Sequence, residues 1–311
     1  MNTSFHLMTS ALAATGIYWV VSHFTRGRRE TASADASLRT ASPDEVRFLS
    51  RDGRARVSAS LLSAERANAA VVLVVGQVGC WGSDSRVSGR SLHVRTMAQA
   101  LRARGITVLV TRLRGHGEAE HHDVLGAIDY LIERGYRAGS IGVLGASVGA
   151  AAALLAAAEE PAVHAVVADS PRVDVLGAAR RAAAPLPGSM VWVLPLARWL
   201  GRTLSGVNLG RRPLLGSPAA LRDRAVLIIH GRGDRLVPPS VAQCVAKATG
   251  ARLWLTASHS HAGTLHEALP LYITRVVDFF CQHLLPQPVE PMMVPEALQR
   301  GLAPVWKSAT L

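Results

Sequence analysis

Lysine is nearly absent from this chain of 311 residues: Lys247 and Lys307 are the only two among 34 basic side chains. The net charge of +12 is therefore carried by arginine. Nucleic-acid binding would call for a basic run with interleaved aromatics or a known reader motif, and the chain has neither. Cysteine is scarce as well. Cys80, Cys244 and Cys281 are odd in number, far apart and without C-x-x-C spacing, which leaves no disulfide framework and no zinc site to build. Charged residues make up only 18%, too few for long polyelectrolyte tails, whereas 49% are hydrophobic, enough for one large core. Glycines 76, 79 and 82 lack the G-x-G-x-x-G spacing, and no acid ends the following strand, so a dinucleotide loop is excluded.

What is present begins with Gly145-Ala146-Ser147-Val148-Gly149. It follows a strand-like run and leads into an alanine-rich segment with high helix propensity. G-x-S-x-G between strand and helix is the nucleophile-elbow pattern. The chain must reverse sharply to lift the serine above the sheet, and glycine on either side relieves the crowding. The following helix aims its backbone N–H groups and positive dipole end at any charge that develops there. By itself the pentapeptide also suits an ordinary tight turn.

The rest of the chain supplies a regular alternation. Expected strands at 46–50 and 56–62 flank Asp52-Gly53, a hairpin signal. Strands follow at 71–75, 107–110, 141–144, 163–168, 226–229 and 252–256. Helices are expected at 92–104, 122–134, 150–158, 240–248 and 265–283. An antiparallel start followed by strand–helix repeats predicts an α/β fold with a mostly parallel eight-stranded sheet and helices on both faces. Ligand chemistry on such a sheet sits beyond the C-terminal strand ends.

A serine hydroxyl is a weak nucleophile. It needs a histidine to take its proton and a carboxylate to orient that histidine. Beyond the 226–229 strand comes His230-Gly231-Arg232-Gly233-Asp234, then Val237-Pro238; beyond the 252–256 strand comes Ser258-His259-Ser260-His261-Ala262-Gly263. The order Ser147, Asp234, His261 is that of the α/β-hydrolase triad.

On these residues the chain resembles the α/β-hydrolase superfamily over about 44–285, in its serine esterase or serine aminopeptidase-like branch. Arg114-Gly115-His116-Gly117-Glu118 resembles the family's R-G-H-G-x loop, H-G-x-x-D-x-x-V-P its acid loop, and His-Ala-Gly with the last helix its histidine loop. The resemblance implies Ser147 as nucleophile, Asp234 as acid and His261 as base, with His259 and His266 rivals for the base and Asp169 for the acid. It implies an oxyanion hole from the backbone N–H groups of Gln77 and Val148, with Val78 a rival to Gln77. The 75–80 segment departs from the family pattern in carrying valine where histidine is usual; backbone donors survive that change. No metal or organic cofactor is required. The implied activity is ester hydrolysis on an apolar acyl substrate. A serine aminopeptidase, amidase or thioesterase is the alternative, and a non-catalytic binding protein of the same fold is the alternative of another class.

The remaining segments read as additions to that domain. Residues 4–24 carry no Asp, Glu, Lys or Arg and are followed by Arg26, Arg28 and Arg29, which predicts a membrane anchor over 1–25 with the catalytic domain cytoplasmic. A cleaved signal peptide, giving a secreted or periplasmic protein, and a soluble helix are the other readings. A linker is expected at 26–43, a cap insertion at 171–222 and a tail with five prolines at 286–311. The cap holds eight arginines against the single acid Asp174, with Trp192 and Trp199 among apolar residues. That composition suits a cover over an acyl pocket, contact with anionic lipid, or attraction of an anionic substrate.

Overall fold

The computed structural model describes residues 44–75, 88–113, 120–173, 218–286 and 305–306. Residues 4–24, the linker, Gln77 and Val78, the Arg114–Glu118 loop, most of the cap and most of the tail lie outside the described residues. No helix among the described residues is long and apolar enough to cross a membrane.

Nine strands form one sheet: β1 (Asp44–Leu49), β2 (Arg56–Leu62), β3 (Ala69–Val75), β4 (Ile106–Arg112), β5 (Ile141–Ala146), β6 (Val163–Asp169), β7 (Ala225–Gly231), β8 (Arg252–Thr256) and β9 (Val305–Trp306). Their order is β1-β2-β4-β3-β5-β6-β7-β8-β9. The first two strands form the expected antiparallel hairpin, with Gly53 at φ 68° in its turn. Strands β3 to β8 run parallel. The eight strands expected from the alternation are all present, and two residues of the tail add the antiparallel edge strand β9.

The helices are α1 (Ser88–Ala103), α2 (Glu120–Glu133), α3 (Val148–Glu159), α4 (Pro239–Thr249), α5 (Thr264–Glu267) and α6 (Leu269–Leu284). Where one helix was expected over 265–283 there are two. Ala268 breaks them at φ −139° and ψ 44°. Pro270 is the cause, because it has no N–H to give to the carbonyl one turn back, and its ring crowds that carbonyl.

Strand β3 is buried along its whole length, as a central parallel strand covered on both faces must be. Its period of two divides the core. Val72 and Val74 face the core shared with Leu125, Ile128 and Leu131 of α2 and Leu154 of α3, which continues under β7 and β8 to Val245 of α4. Val71 and Leu73 face the opposite core, which holds Met97 and Leu101 of α1 and Val276 and Phe280 of α6. Helix α3 is unusual among them. Gly149, Ala150 to Leu154, Ala156 and Ala157 are all buried, so it has no wide polar face. It lies against β5, β6 and α2, and its small side chains let those neighbours come close.

Candidate active site

Strand β5 delivers Ser147 to the C-terminal edge of the sheet, and α3 begins at the next residue. Ser147 has φ 55° and ψ −113°, outside the regions that L-residues favour. Such a conformation costs on the order of 1–3 kcal/mol and persists only where neighbours enforce it. The neighbours are visible. The Ser147 N–H donates to the Asp169 carbonyl at 2.8 Å, and the Ser147 carbonyl accepts from Ala151 and Arg172, each at 3.2 Å. A β-carbon on Gly145 would collide with the backbone of Gly149, and one on Gly149 would come within 3.1 Å of the Val74 carbonyl. The glycines of the motif are thus fixed by close approach. A serine before a helix commonly caps it with its hydroxyl, but Ser147 makes no such bond.

Its hydroxyl goes to His261 instead. Ser147 Oγ lies 2.8 Å from His261 Nε2, and His261 Nδ1 lies 2.7 Å from Asp234 Oδ2. The tautomer follows from the partners. An ionised carboxylate only accepts, so Nδ1 carries the proton, and Nε2 is left as the acceptor for the serine hydroxyl. Ser147 and Asp234 are buried, and His261 is partly exposed.

The acid loop beyond β7 builds the carboxylate site. Asp234 Oδ1 accepts the backbone N–H groups of Leu236 and Val237, both at 2.9 Å, which leaves Oδ2 for the histidine. Burial would raise the Asp234 carboxyl. The hydrogen bonds from His261 and from the Val237 N–H outweigh it, so the group sits below the ordinary carboxylate range. His230 is wholly buried. Its Nε2–H donates to the Val237 carbonyl at 2.9 Å, and its Nδ1 has no hydrogen-bond partner among the described residues. Burial holds His230 below the usual imidazole value, against the pull of Val237 and Asp234. Its 3.5 Å approach to Asp234 Oδ2 is therefore that of a neutral ring, not an ion pair.

The histidine loop is fastened to the acid loop through backbone. Arg232 N–H donates to the Thr256 carbonyl at 3.0 Å and Gly233 N–H to the Ser258 carbonyl at 2.9 Å. Thr256 and Thr264 join their hydroxyls at 2.8 Å beneath the loop, and Glu267 accepts from Ser258 and Ser260.

The rivals named from sequence are placed elsewhere. His259 is exposed and lies against Gly233. His266 pairs through Nδ1 with Nδ1 of His93 at 2.8 Å. Asp169 is buried at the end of β6, where its Oδ1 accepts the Ser170 hydroxyl at 3.0 Å and Tyr272 faces its carboxylate. Burial raises Asp169 to about 6, opposed by the Ser170 and Tyr272 hydroxyls, and burial together with Asp169 pushes the Tyr272 phenol up. Val148 opens α3, and its N–H is one of the first-turn donors that no carbonyl of the same helix can reach. No group of three or more metal-ligating side chains occurs among the described residues.

Two residues near the site were not singled out in the sequence for any role: His230, which is the first letter of the acid-loop motif, and Ser170. The signal for Ser170 is Asp-Ser-Pro directly after a strand.

The chain is similar to solved structures across most of their length. It covers 90% of the Pyrococcus furiosus esterase Pf2001 with 78% of its own length, at 21% identity and a TM-score of 0.60. It covers 98% of Est1E from Butyrivibrio proteoclasticus with 77% of its own length, at 18% identity and a TM-score of 0.55. In sequence it is 28% identical over 225 residues to a thermostable monoacylglycerol lipase from Bacillus sp. (strain H-257), a match that takes in 63% of this chain and 88% of the lipase. Fold and relatives together define the class: the protein is a serine hydrolase of the α/β-hydrolase superfamily. Within that class the match to the model of the prolyl oligopeptidase family spans residues 112–286, from the end of β4 to just past α6. The chain belongs to the prolyl oligopeptidase family.

Proposed function

We propose that this enzyme hydrolyses carboxylic esters of apolar acyl groups by way of an acyl-enzyme. The observation that carries the proposal is the unbroken relay from Ser147 Oγ to His261 Nε2 and from His261 Nδ1 to Asp234 Oδ2. In this reading Ser147 attacks the acyl carbon while His261 takes its proton. Asp234 holds the ring in the required tautomer and stabilises the imidazolium. The backbone N–H groups of Val148 and Gln77 hold the oxyanion, each worth about 2.7–4 kcal/mol in the transition state. His261 then protonates the leaving alkoxide, and water discharges the acyl-enzyme by the same steps. Every step uses a side chain or backbone group of the protein itself.

The similarity to a monoacylglycerol lipase over 88% of that protein supports an ester substrate with an apolar acyl chain. The arginines and tryptophans of the 171–222 insertion support the same reading, as does the uncharged 4–24 stretch, which would keep the domain beside a membrane. The test is a panel of p-nitrophenyl esters of graded chain length run beside aminoacyl amides. Wild type should react with a fluorophosphonate and Ser147→Ala should not, with kcat/KM rising from acetate to octanoate. Failure of wild type to be labelled would overturn the proposal.

The family match supports a second reading, cleavage of peptide or aminoacyl amide bonds. Comparable kcat/KM on aminoacyl amides, with little ester turnover at any chain length, would establish it in place of the first.

A further inference from the structure

The end of β6 carries two side chains that the relay does not use. Asp169 and Ser170 are both wholly buried. They stand between the nucleophile strand β5 and the acid strand β7, because β6 pairs with both. The backbone of this pair reaches two ways: the Asp169 carbonyl accepts the Ser147 N–H, and the Ser170 N–H donates to the Ile229 carbonyl at 2.8 Å. The side chains reach a third. Ser170 Oγ accepts the N–H of Ala262 at 3.2 Å and donates to Asp169 Oδ1 at 3.0 Å.

Direction matters in this chain of bonds. A hydroxyl has one proton and two lone pairs. With its proton committed to Asp169, Ser170 Oγ presents lone pairs to Ala262. Ala262 directly follows His261. Both ends of the contact have left-handed backbone, Ser170 at φ 49° and Ala262 at φ 51°, conformations uncommon outside glycine. Two such residues meeting through one buried hydrogen bond, beside a reacting centre, is the pattern of strain kept for a purpose.

We propose that Asp169 and Ser170 form a positioning pair that sets the height and tilt of the His261 ring over Ser147. They act through the Ala262 N–H and touch neither substrate nor the reacting atoms. One hydrogen-bonded unit thereby fixes the nucleophile by its backbone and the base by its loop. A displacement of the ring by about 1 Å costs on the order of 10²-fold in rate.

This inference rests on the ester-hydrolase reading for its kinetic arm and is independent of it for its spectroscopic arm. Ser170→Ala, Ser170→Gly, Asp169→Ala and Asp169→Asn are compared in the full-length protein. Glycine adopts φ 49° without strain, so Ser170→Gly decides the matter if the alanine variant does not fold. Removing the hydroxyl or the carboxyl should lower kcat on the best ester by about 10- to 100-fold and leave KM within about twofold. Asp169→Asn keeps an oxygen for the Ser170 hydroxyl and should retain kcat within about threefold. Without substrate, the downfield proton resonance of His261 Nδ1–H should shift or broaden in Ser170→Gly and stay in place in Asp169→Asn. An unchanged resonance in Ser170→Gly overturns the proposal even if the protein hydrolyses no ester. On an active protein, unchanged kcat in Ser170→Gly, or equal loss in Asp169→Ala and Asp169→Asn, overturns it too.

Discussion

Asp234 gives its two carboxylate oxygens to different tasks, and Oδ2 meets His261 Nδ1 at 2.7 Å. Oδ1 is held by two backbone N–H groups of its own loop. The carboxylate therefore cannot swing to offer the histidine its other oxygen, and the ring's tautomer is set from one fixed point. Asp234→Asn preserves the shape and places a donor or a neutral acceptor at that point. Ester kcat should fall by about 10⁴-fold, with the rate lost and substrate affinity largely kept. A loss below tenfold on a short-chain p-nitrophenyl ester would remove Asp234 from the mechanism.

The strained backbone at Ser147 has a stability signature. Ala retains the penalty of φ 55°, whereas Gly does not. Ser147→Gly should be more stable than Ser147→Ala by about 1 kcal/mol, after glycine's extra unfolded-state entropy is subtracted. Both variants should be inactive. Urea unfolding of the pair measures the difference, and a Ser147→Ala protein as stable as Ser147→Gly would show the turn to be relaxed.

His230 and Asp234 should make the fold sensitive to acid. The imidazole of His230 is held below its ordinary value, so the folded state resists its protonation. Its contribution is complete above about pH 6.5 and is lost as pH falls below that. Asp234 lies below its ordinary value as well, and its contribution, complete above about pH 3.9, is lost at lower pH. Wild type should lose more Tm between pH 7.5 and 5.5 than His230→Gln, which has no proton to gain. Thermal unfolding of both at the two pH values decides it.

Asp169 has the opposite sign. Its carboxyl is raised to about 6 by burial, so the folded protein favours the neutral form. Between its ordinary value near 3.8 and 6 the folded state holds a proton that the unfolded chain has released, and stability falls as pH rises. Above 6 the penalty levels off at about 3 kcal/mol. Asp169→Asn does not ionise. It should match wild type near pH 4 and exceed it by up to that amount at pH 8. Parallel stability curves across this range would mean that Asp169 ionises freely in the fold.

Much of the architecture is legible in the sequence because the strands β3 to β8 are short, mostly apolar runs bounded by turn residues. The helical segments between them either alternate at a helical period or, in α3, are a run of strong helix formers. The β1–β2 hairpin is announced by Asp52-Gly53. The G-x-S-x-G motif is equally readable, since its glycines answer to collisions that any chain would suffer at that turn. Spatial order is another matter. Strand β4 lies between β2 and β3, a crossing set by how the sheet assembles rather than by any local signal. The division of 265–283 at Ala268 turns on Pro270, whose effect competes with an otherwise strong helical period. His230 and Ser170 escaped notice because each is defined by a partner distant in the chain or by burial. Ser170 meets Ala262 across 92 positions, and no spacing rule reaches that far.

Helix α3 places a limit on how this enzyme can change. Its buried alanines have only a methyl group to lose and little space into which one can grow. A larger residue there would shift the helix and carry Ser147 with it. An enlarged side chain deep in the core would thus be felt at the C-terminal edge of the sheet, through a helix whose lack of bulk leaves nothing to absorb the shift.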